Sequence, residues 1–386
     1  MSLLSLPRAR PETATASSAG GRRVLLAPIT VTPSKPLTPS HLKGLLWTDV
    51  MYRATLALAD VTHHCSHTTY HPTEQTLGFW EYLDRTHGEM DYAGLTEERI
   101  GELYIAFRAA ERAPAPAMRP YAEAAERGWV HPASARVLRL WSAHYAALGL
   151  HDPGLLRHQP PGLDLDRALD RLTGLGMCLD HRAVGGPVYL DLTRFGLPLR
   201  QLVTADGRPN YLACALRDLL PLAPEYDEVV LLYDAELDAD HQQLARVLTA
   251  VGPRVRRVSL GRVPIDGTIR SARHGGWAGL HAGELVRAAH EQYEPAAVRL
   301  GMRLYFIAVL GPGQQQSFRA DLLRQNFGRA ARLLDSASPT SPLSLAQSLA
   351  RHRKDHLYVD PYRLTSGLLG KRRAAPAAEL LSAVFS

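Results

Sequence analysis

Short apolar runs, each leading into a helical pattern, constrain the fold of this chain more than any other feature. VLLAPI (Val24–Ile29) and EVVLLY (Glu228–Tyr233) are apolar at nearly every position, and RVRRVSL (Arg254–Leu260) is a further short strand. A strand without polar alternation is covered on both faces, and strands separated by helices form a parallel sheet with helices on either side. The fold class expected is therefore α/β, a Rossmann-like parallel sheet. Ligands of such sheets bind at the carboxyl ends of the strands. PVYLDL (Pro187–Leu192) reads as one more strand of the same set.

The helices follow from spacing. From His41 to about Ala59, Leu42, Leu45, Leu46, Val50, Ala54, Ala57 and Leu58 recur every three or four residues, giving one buried stripe. Further helices are expected after Tyr211 and from His241. Residues 80–175 are Ala-rich and helical in pattern, with breaks at Ala113–Pro120 and Gln159–Gly162. They read as a helical insertion. Residues 1–23 read as a disordered leader rich in Pro, Ala, Ser, Thr and Arg, and 24–330 as the catalytic domain containing the insertion. After Asn326 the pattern is all helical, so 331–386 is expected to be a carboxyl-terminal helical tail whose Lys371–Arg373 run is solvated.

Composition narrows the function classes. Lys and Arg exceed Asp and Glu by 44 − 38 = 6, a balance compatible with a polyanionic partner but equally with an arginine-rich composition alone. Lysine occurs only at Lys35, Lys43, Lys354 and Lys371. No apolar run approaches a membrane span. Cys65, Cys178 and Cys214 lack C-x-x-C spacing and suit a reducing compartment, so a cytoplasmic location is expected.

The segment VTPSKPLTPSHLKGLLWTDV (31–50) places Lys35 and His41 on a loop that opens a helix after the first strand. Helix amino termini carry free N–H groups and positive potential, so this is an anion site in outline. Here the residue order resembles the HIGH signature of class I aminoacyl-tRNA synthetases, in its arginyl-tRNA synthetase form. Thr38, Pro39, Ser40 and His41 occupy the four positions, Lys35 and Pro36 precede them, and Lys43 replaces the following arginine. Asp49 matches an acidic residue of that helix. Three later blocks resemble the same family in order: VTADGRPNY with Asp206, Gly207 and Tyr211; Asp234 to Asp238 (DAELD) after EVVLLY; and DGTIRSARHGG (266–276), which keeps Ser271, Arg273 and Gly275 of the second signature, with Arg270 and Ala272 departing from it.

The resemblance implies a class I synthetase (HUP-type) Rossmann-like fold and a reaction in which a carboxylate attacks the α-phosphate of ATP, accompanied by Mg2+, to give an adenylate. It implies Lys35, His41, Ser271 and Arg273 as catalytic residues. Thr38, Ser40, Lys43, Arg270, Gly275 and Glu236 would bind nucleotide, and Thr32, His71, Tyr211, Ala215 and Asp238 would line the substrate pocket. The family's acidic residue and asparagine ahead of the HIGH loop are Ala27 and Thr32 here, and its carboxylate four residues after the pocket tyrosine is Ala215. A guanidinium would then be buried unpaired, so arginine is not the expected substrate unless Asp218, Glu236 or Asp238 takes over. The family's tRNA-elbow domain has no counterpart before the first strand, and about 60 residues follow Asn326.

The expected function is a stand-alone synthetase-like ligase of specialised metabolism, such as antibiotic biosynthesis, that passes an amino acid or other carboxylate to a small amine or carrier. One alternative is a transferase that uses aminoacyl-tRNA, contacting its acceptor stem, without ATP. A second is a non-catalytic binding protein. His63, His64, Cys65, His67 and His71 do not read as zinc ligands: alternation puts His63, Cys65 and His67 on one face with no matching pair elsewhere, so no metal site is expected. His67 or His71 would instead line the cleft.

Overall fold

The computed structural model describes residues 21–29, 31–65, 73–269, 275, 277, 279–313, 316–339, 343–370 and 375–386. Strand β1 (Arg23–Pro28) leads through a loop into α1 (Pro39–Leu56), and β2 (Asp60–His63) returns parallel to β1. Five helices follow: α2 (Glu74–His87), α3 (Glu97–Ala109), α4 (Ala115–Glu126), α5 (Pro132–Leu148) and α6 (Leu165–Gly174). Three short strands, β3 (Cys178–Asp180), β4 (Val188–Leu190) and β5 (Arg200–Val203), precede α7 (Tyr211–Leu222), β6 (Glu228–Asp234), α8 (Asp238–Ala250) and β7 (Arg254–Leu260). Helices complete the chain: α9 (Ala282–His290), α10 (Pro295–Arg303) running on as a π-helical stretch (Leu304–Val309), α11 (Ala320–Asp335), α12 (Leu345–Ala350), α13 (Pro361–Gly367) and α14 (Ala378–Phe385).

The parallel sheet has the order β2-β1-β6-β7. Its two faces separate by residue parity, as a pleated strand requires. Val24, Leu26, Val230 and Leu232 pack with Met51 of α1 and with Leu357, while Leu25, Ala27, Val229, Leu231 and Tyr233 pack on α7 and α8. Val24, Leu25 and Leu26 are all fully buried, which accounts for the run of apolar residues. Each such side chain contributes about 1.5–3 kcal/mol by leaving water. The α/β parallel architecture expected from the sequence is therefore present.

PVYLDL is not part of that sheet. Strand β4 pairs antiparallel with β3 and β5 in a separate three-stranded sheet. A parallel pairing needs a crossover of a dozen or more residues, and the links on either side of β4 are turns closed by Gly185 and Gly196, both at positive φ. The turn at Asp206–Gly207, with Gly207 at φ +87°, lies beyond β5 on the same exposed side. Two other readings need correcting. Helix α4 runs through the break expected at Ala113–Pro120, because Pro116 sits in its first turn, where no N–H is missed, and Pro120 gives up one bond inside it. The all-helical part begins at Ala282 rather than near Asn326.

Helices α1, α2, α3, α5, α9, α10, α11 and α14 share one apolar core that includes Trp80, Trp141, Phe306, Ala330 and Phe385. The tail and the insertion thus pack as one body beside the sheet. No described helix is long and apolar enough to cross a membrane.

Candidate active site

The carboxyl ends of β1, β6 and β7 face the amino end of α1, and a cavity of about 110 Å³ opens there. Ser40, His41 and Gly44 of α1 line one wall, Leu232, Tyr233, Asp234 and Leu260 another. The remainder is apolar, built from Leu45, Trp141, Tyr145, Pro153 and Leu155, with His63 and Cys65 at the end of β2.

His41 is the third residue of α1. Its Nδ1 accepts the backbone N–H of the N-cap Thr38 at 3.1 Å, and the Thr38 hydroxyl lies 3.2 Å away. An N–H can only donate, so Nδ1 carries no proton and the neutral ring holds its proton on Nε2. Burial, reinforced by the positive charges of Lys35 and Arg262, lowers the His41 pKa to about 3. His41 is therefore neutral at physiological pH rather than a cation, and its ring N–H has the Pro36 carbonyl as a partner. Lys35 is buried, with its ammonium 5.0 Å from the centre of the Tyr104 ring. Arg262, two residues past β7, bonds Asp234 and Glu236 at 3.0 Å each. Burial raises the pKa of Asp234, and Arg262 opposes that rise.

The other residues singled out in the sequence fall into distinct environments. Ser40 accepts the Val263 N–H at 3.0 Å, fixing the loop after β7 against α1. Lys43 turns away from the cavity: its ammonium donates to the carbonyls of Gly261 (2.8 Å), Pro312 (3.3 Å) and Gly313 (2.6 Å), which use all three of its donors. Burial lowers its pKa to about 8. Thr32 is buried beside neither cavity. Tyr211 and Ala215 line a second, smaller cavity of about 20 Å³ with Ala27, His64, Asp218 and His241. The two cavities meet at Pro28 and Ile29, and the consecutive His63 and His64 face one each. Glu236 is half-exposed on Arg262, and Asp238 is held by Tyr233 (2.6 Å), Gln242 (2.7 Å) and Arg257 (2.8 Å). Gly275 has φ +83°, a conformation that disfavours any side chain. His67, His71, Arg270, Ser271 and Arg273 lie outside the described residues.

Asp218 is the carboxylate that reaches the Tyr211 cavity, one helical turn past Ala215 and 3.7 Å from His64. Trp141 and Tyr145 carry no sequence signal beyond i,i+4 spacing, which any packed helix shows. Asp234 and Arg262 become visible as a pair only once β6 and β7 are neighbours.

His63 behaves as His41 does: burial and the neighbouring His151 lower its pKa to about 3. Both rings stay neutral in the folded chain while the unfolded chain takes up protons near pH 6.5, so stability is full above that pH and declines as pH falls toward 3. Thermal melts at pH 7 and pH 5 should show a smaller acid-induced loss for His63→Asn than for the unsubstituted protein. An equal loss would mean that His63 does not titrate in this way.

The fold defined by this sheet and cleft is that of the class I aminoacyl-tRNA synthetases. The particular likeness is to arginyl-tRNA synthetases. The Thermus thermophilus arginyl-tRNA synthetase superposes with a TM-score of 0.59 at 15% identity, covering 99% of this chain and 80% of that one. The Plasmodium falciparum arginyl-tRNA synthetase gives 0.52 at 12%, covering 87% and 65%. At these identities the likeness is one of fold. No protein-family model matches the chain, and no curated protein matches it.

Proposed function

We propose that this chain is a ligase that activates a carboxylate with ATP as its adenylate, in the cleft at the carboxyl ends of β1, β6 and β7, and passes the acyl group to a small amine or carrier. The observation that carries this reading is the place of the neutral His41 ring in the wall of an apolar cavity at the carboxyl end of the sheet, with the Lys35 charge near enough to act on that ring. A transferring phosphoryl group needs fixed donors and cations where negative charge develops, in a site that excludes water. Lys35 would supply the cation, and nucleotide with its Mg2+ would bind against Ser40, His41 and Gly44, which line the cavity. Lys43 has its donors committed to carbonyls and supports the frame instead.

Cavity size indicates the kind of carboxylate. The Tyr211 cavity of about 20 Å³ holds roughly one water. It has no room for a guanidinium chain, even though Asp218 lines it. The larger cavity takes an apolar or aromatic side chain against Leu45, Trp141, Tyr145 and Leu155. A neutral substrate is therefore favoured over arginine.

Gly44 offers a direct test. A Cβ added there meets no atom within 4 Å, and the residue lines the cavity. Gly44→Ala should stabilise the protein by about 0.5–1 kcal/mol through helix propensity. Gly44→Phe should leave the melting temperature unchanged or higher while abolishing carboxylate-dependent turnover of ATP. Full turnover in Gly44→Phe would place the chemistry elsewhere.

A transferase acting on aminoacyl-tRNA without ATP is the second reading. It is favoured by Lys43, whose ammonium holds loop backbone and is not turned to a nucleotide. Product formation from charged tRNA, with no ATP added, distinguishes it.

A further inference from the structure

Away from the cleft, the amino ends of α3 and α9 converge. Glu97 and Glu98 open α3, His281 is the N-cap of α9, and Glu284 lies in its first turn. The His281 Nε2 is 2.5 Å from Glu98 Oε1 and 2.9 Å from Glu284 Oε2, and its Nδ1 is 3.1 Å from Glu97 Oε1. On its far side Glu97 Oε1 is 2.9 Å from His144 Nε2.

Glutamates in a first helical turn are ordinary, since they offset the helix dipole. Three features exceed that role. His281 is 1% exposed, and although two carboxylates lie within 2.9 Å of its Nε2, that nitrogen has no partner in hydrogen-bond geometry. Its side chain caps no N–H of α9. Glu97 Oε2 and Glu284 Oε2 are also buried without hydrogen bonds. Three carboxylates outweigh two helix ends of about half a charge each, so the cluster favours a cation. Glu97, Glu98 and His281 each bring a donor atom within 4.8 Å of the others.

We propose that this cluster is a binding site for a divalent first-row metal ion, ligated by His281 Nε2, Glu98 and Glu284, with Glu97 as the outer carboxylate on His281 Nδ1. A ligating histidine usually donates its other ring N–H to such a carboxylate, which fixes the tautomer and the ring orientation. A mixed imidazole and carboxylate set suits zinc or manganese. Glu98 and Glu284 are each about one-third exposed, at 33% and 34%, so an ion can reach the site and complete its shell with water. The site also has a structural consequence. Helix α9 follows the 266–280 segment, and the N–H of Ala282 donates to the Leu37 carbonyl at 2.8 Å. An ion at His281 would thus fasten the loop that carries Lys35 to the insertion.

Untagged full-length protein, dialysed against chelator, should bind either Zn2+ or Mn2+ at one site per chain in calorimetric titration, and the bound ion should raise the melting temperature. The double substitution Glu98→Gln and Glu284→Gln removes two partly exposed ligands and should leave the circular dichroism spectrum intact. It should weaken binding at least 100-fold and abolish the thermal shift, while Glu97→Gln should weaken binding about 10–100-fold. Failure to bind either ion, or binding unchanged in the double variant, would overturn the proposal.

Discussion

Asp49→Ala should lower the free energy of unfolding by about 3–5 kcal/mol, the cost of leaving a buried charge without its partner. Arg303 is fully buried, and its guanidinium bonds Asp49 Oδ2 at 2.6 and 3.2 Å. Asp49 also accepts from Arg53 (3.0 Å) and from the His151 N–H (2.8 Å). Burial opposes ionisation of Asp49, but Arg303 and Arg53 outweigh it and hold the carboxyl below its usual range. Arg303 extends the network to the carbonyls of Leu148 and Gly149 at the end of α5. Asp49 therefore joins α1, α5 and α10. Urea denaturation reads the effect. A loss below 1 kcal/mol would mean that the pair contributes little beyond what solvent or neighbouring carbonyls can supply.

The second large effect is expected at Lys35. Lys35→Ala should lower kcat/KM for carboxylate activation by about 10²–10³, the range for removing one preorganised donor from a developing charge. Its position supports this: it is buried on the face of Tyr104 and close enough to His41 to lower the imidazole pKa. Lys35→Arg keeps the charge but not the compact ammonium and should rescue little. Lys43→Ala should act differently, reducing stability through the Gly261 and Gly313 carbonyls that lose its ammonium, while the Pro312 carbonyl keeps the Gly261 N–H. Comparable activity loss at both lysines, with no change in stability at Lys43, would contradict this division.

The sheet was legible in the sequence where burial is two-sided. Val24–Pro28 of β1 and Val229–Tyr233 of β6 are apolar because α1 covers one face and α7 and α8 the other. β2, four residues reading Asp-Val-Thr-His, carries no such signal, since it is an edge strand with one fully buried residue. The PVYLDL strand joins an antiparallel sheet rather than the parallel one, a pairing hidden in the sequence because strands of three or four residues do not reveal their partners; connection length does. At the site, Ser40 and His41 could be found through the order of residues around them, whereas Asp234, Arg262, Trp141 and Tyr145 look like ordinary strand, loop and helix positions. Lys43 illustrates the opposite case. The resemblance implies it as a nucleotide ligand, but the approach of residues 261 and 312–313 to α1 gives its ammonium three carbonyls instead. His281 and Glu97, more than 180 residues apart, meet only because α3 and α9 share a core with α5.

ATP–pyrophosphate exchange with a panel of amino acids and other carboxylates, arginine included, tests the central claim most directly. The expected result is exchange that depends on a neutral carboxylate with an apolar or aromatic side chain, is no faster with arginine than without a carboxylate, and is lost in Lys35→Ala and Gly44→Phe. Exchange with no carboxylate of the panel, together with product formation from aminoacyl-tRNA in the absence of ATP, would contradict the ligase reading and establish the transferase in its place.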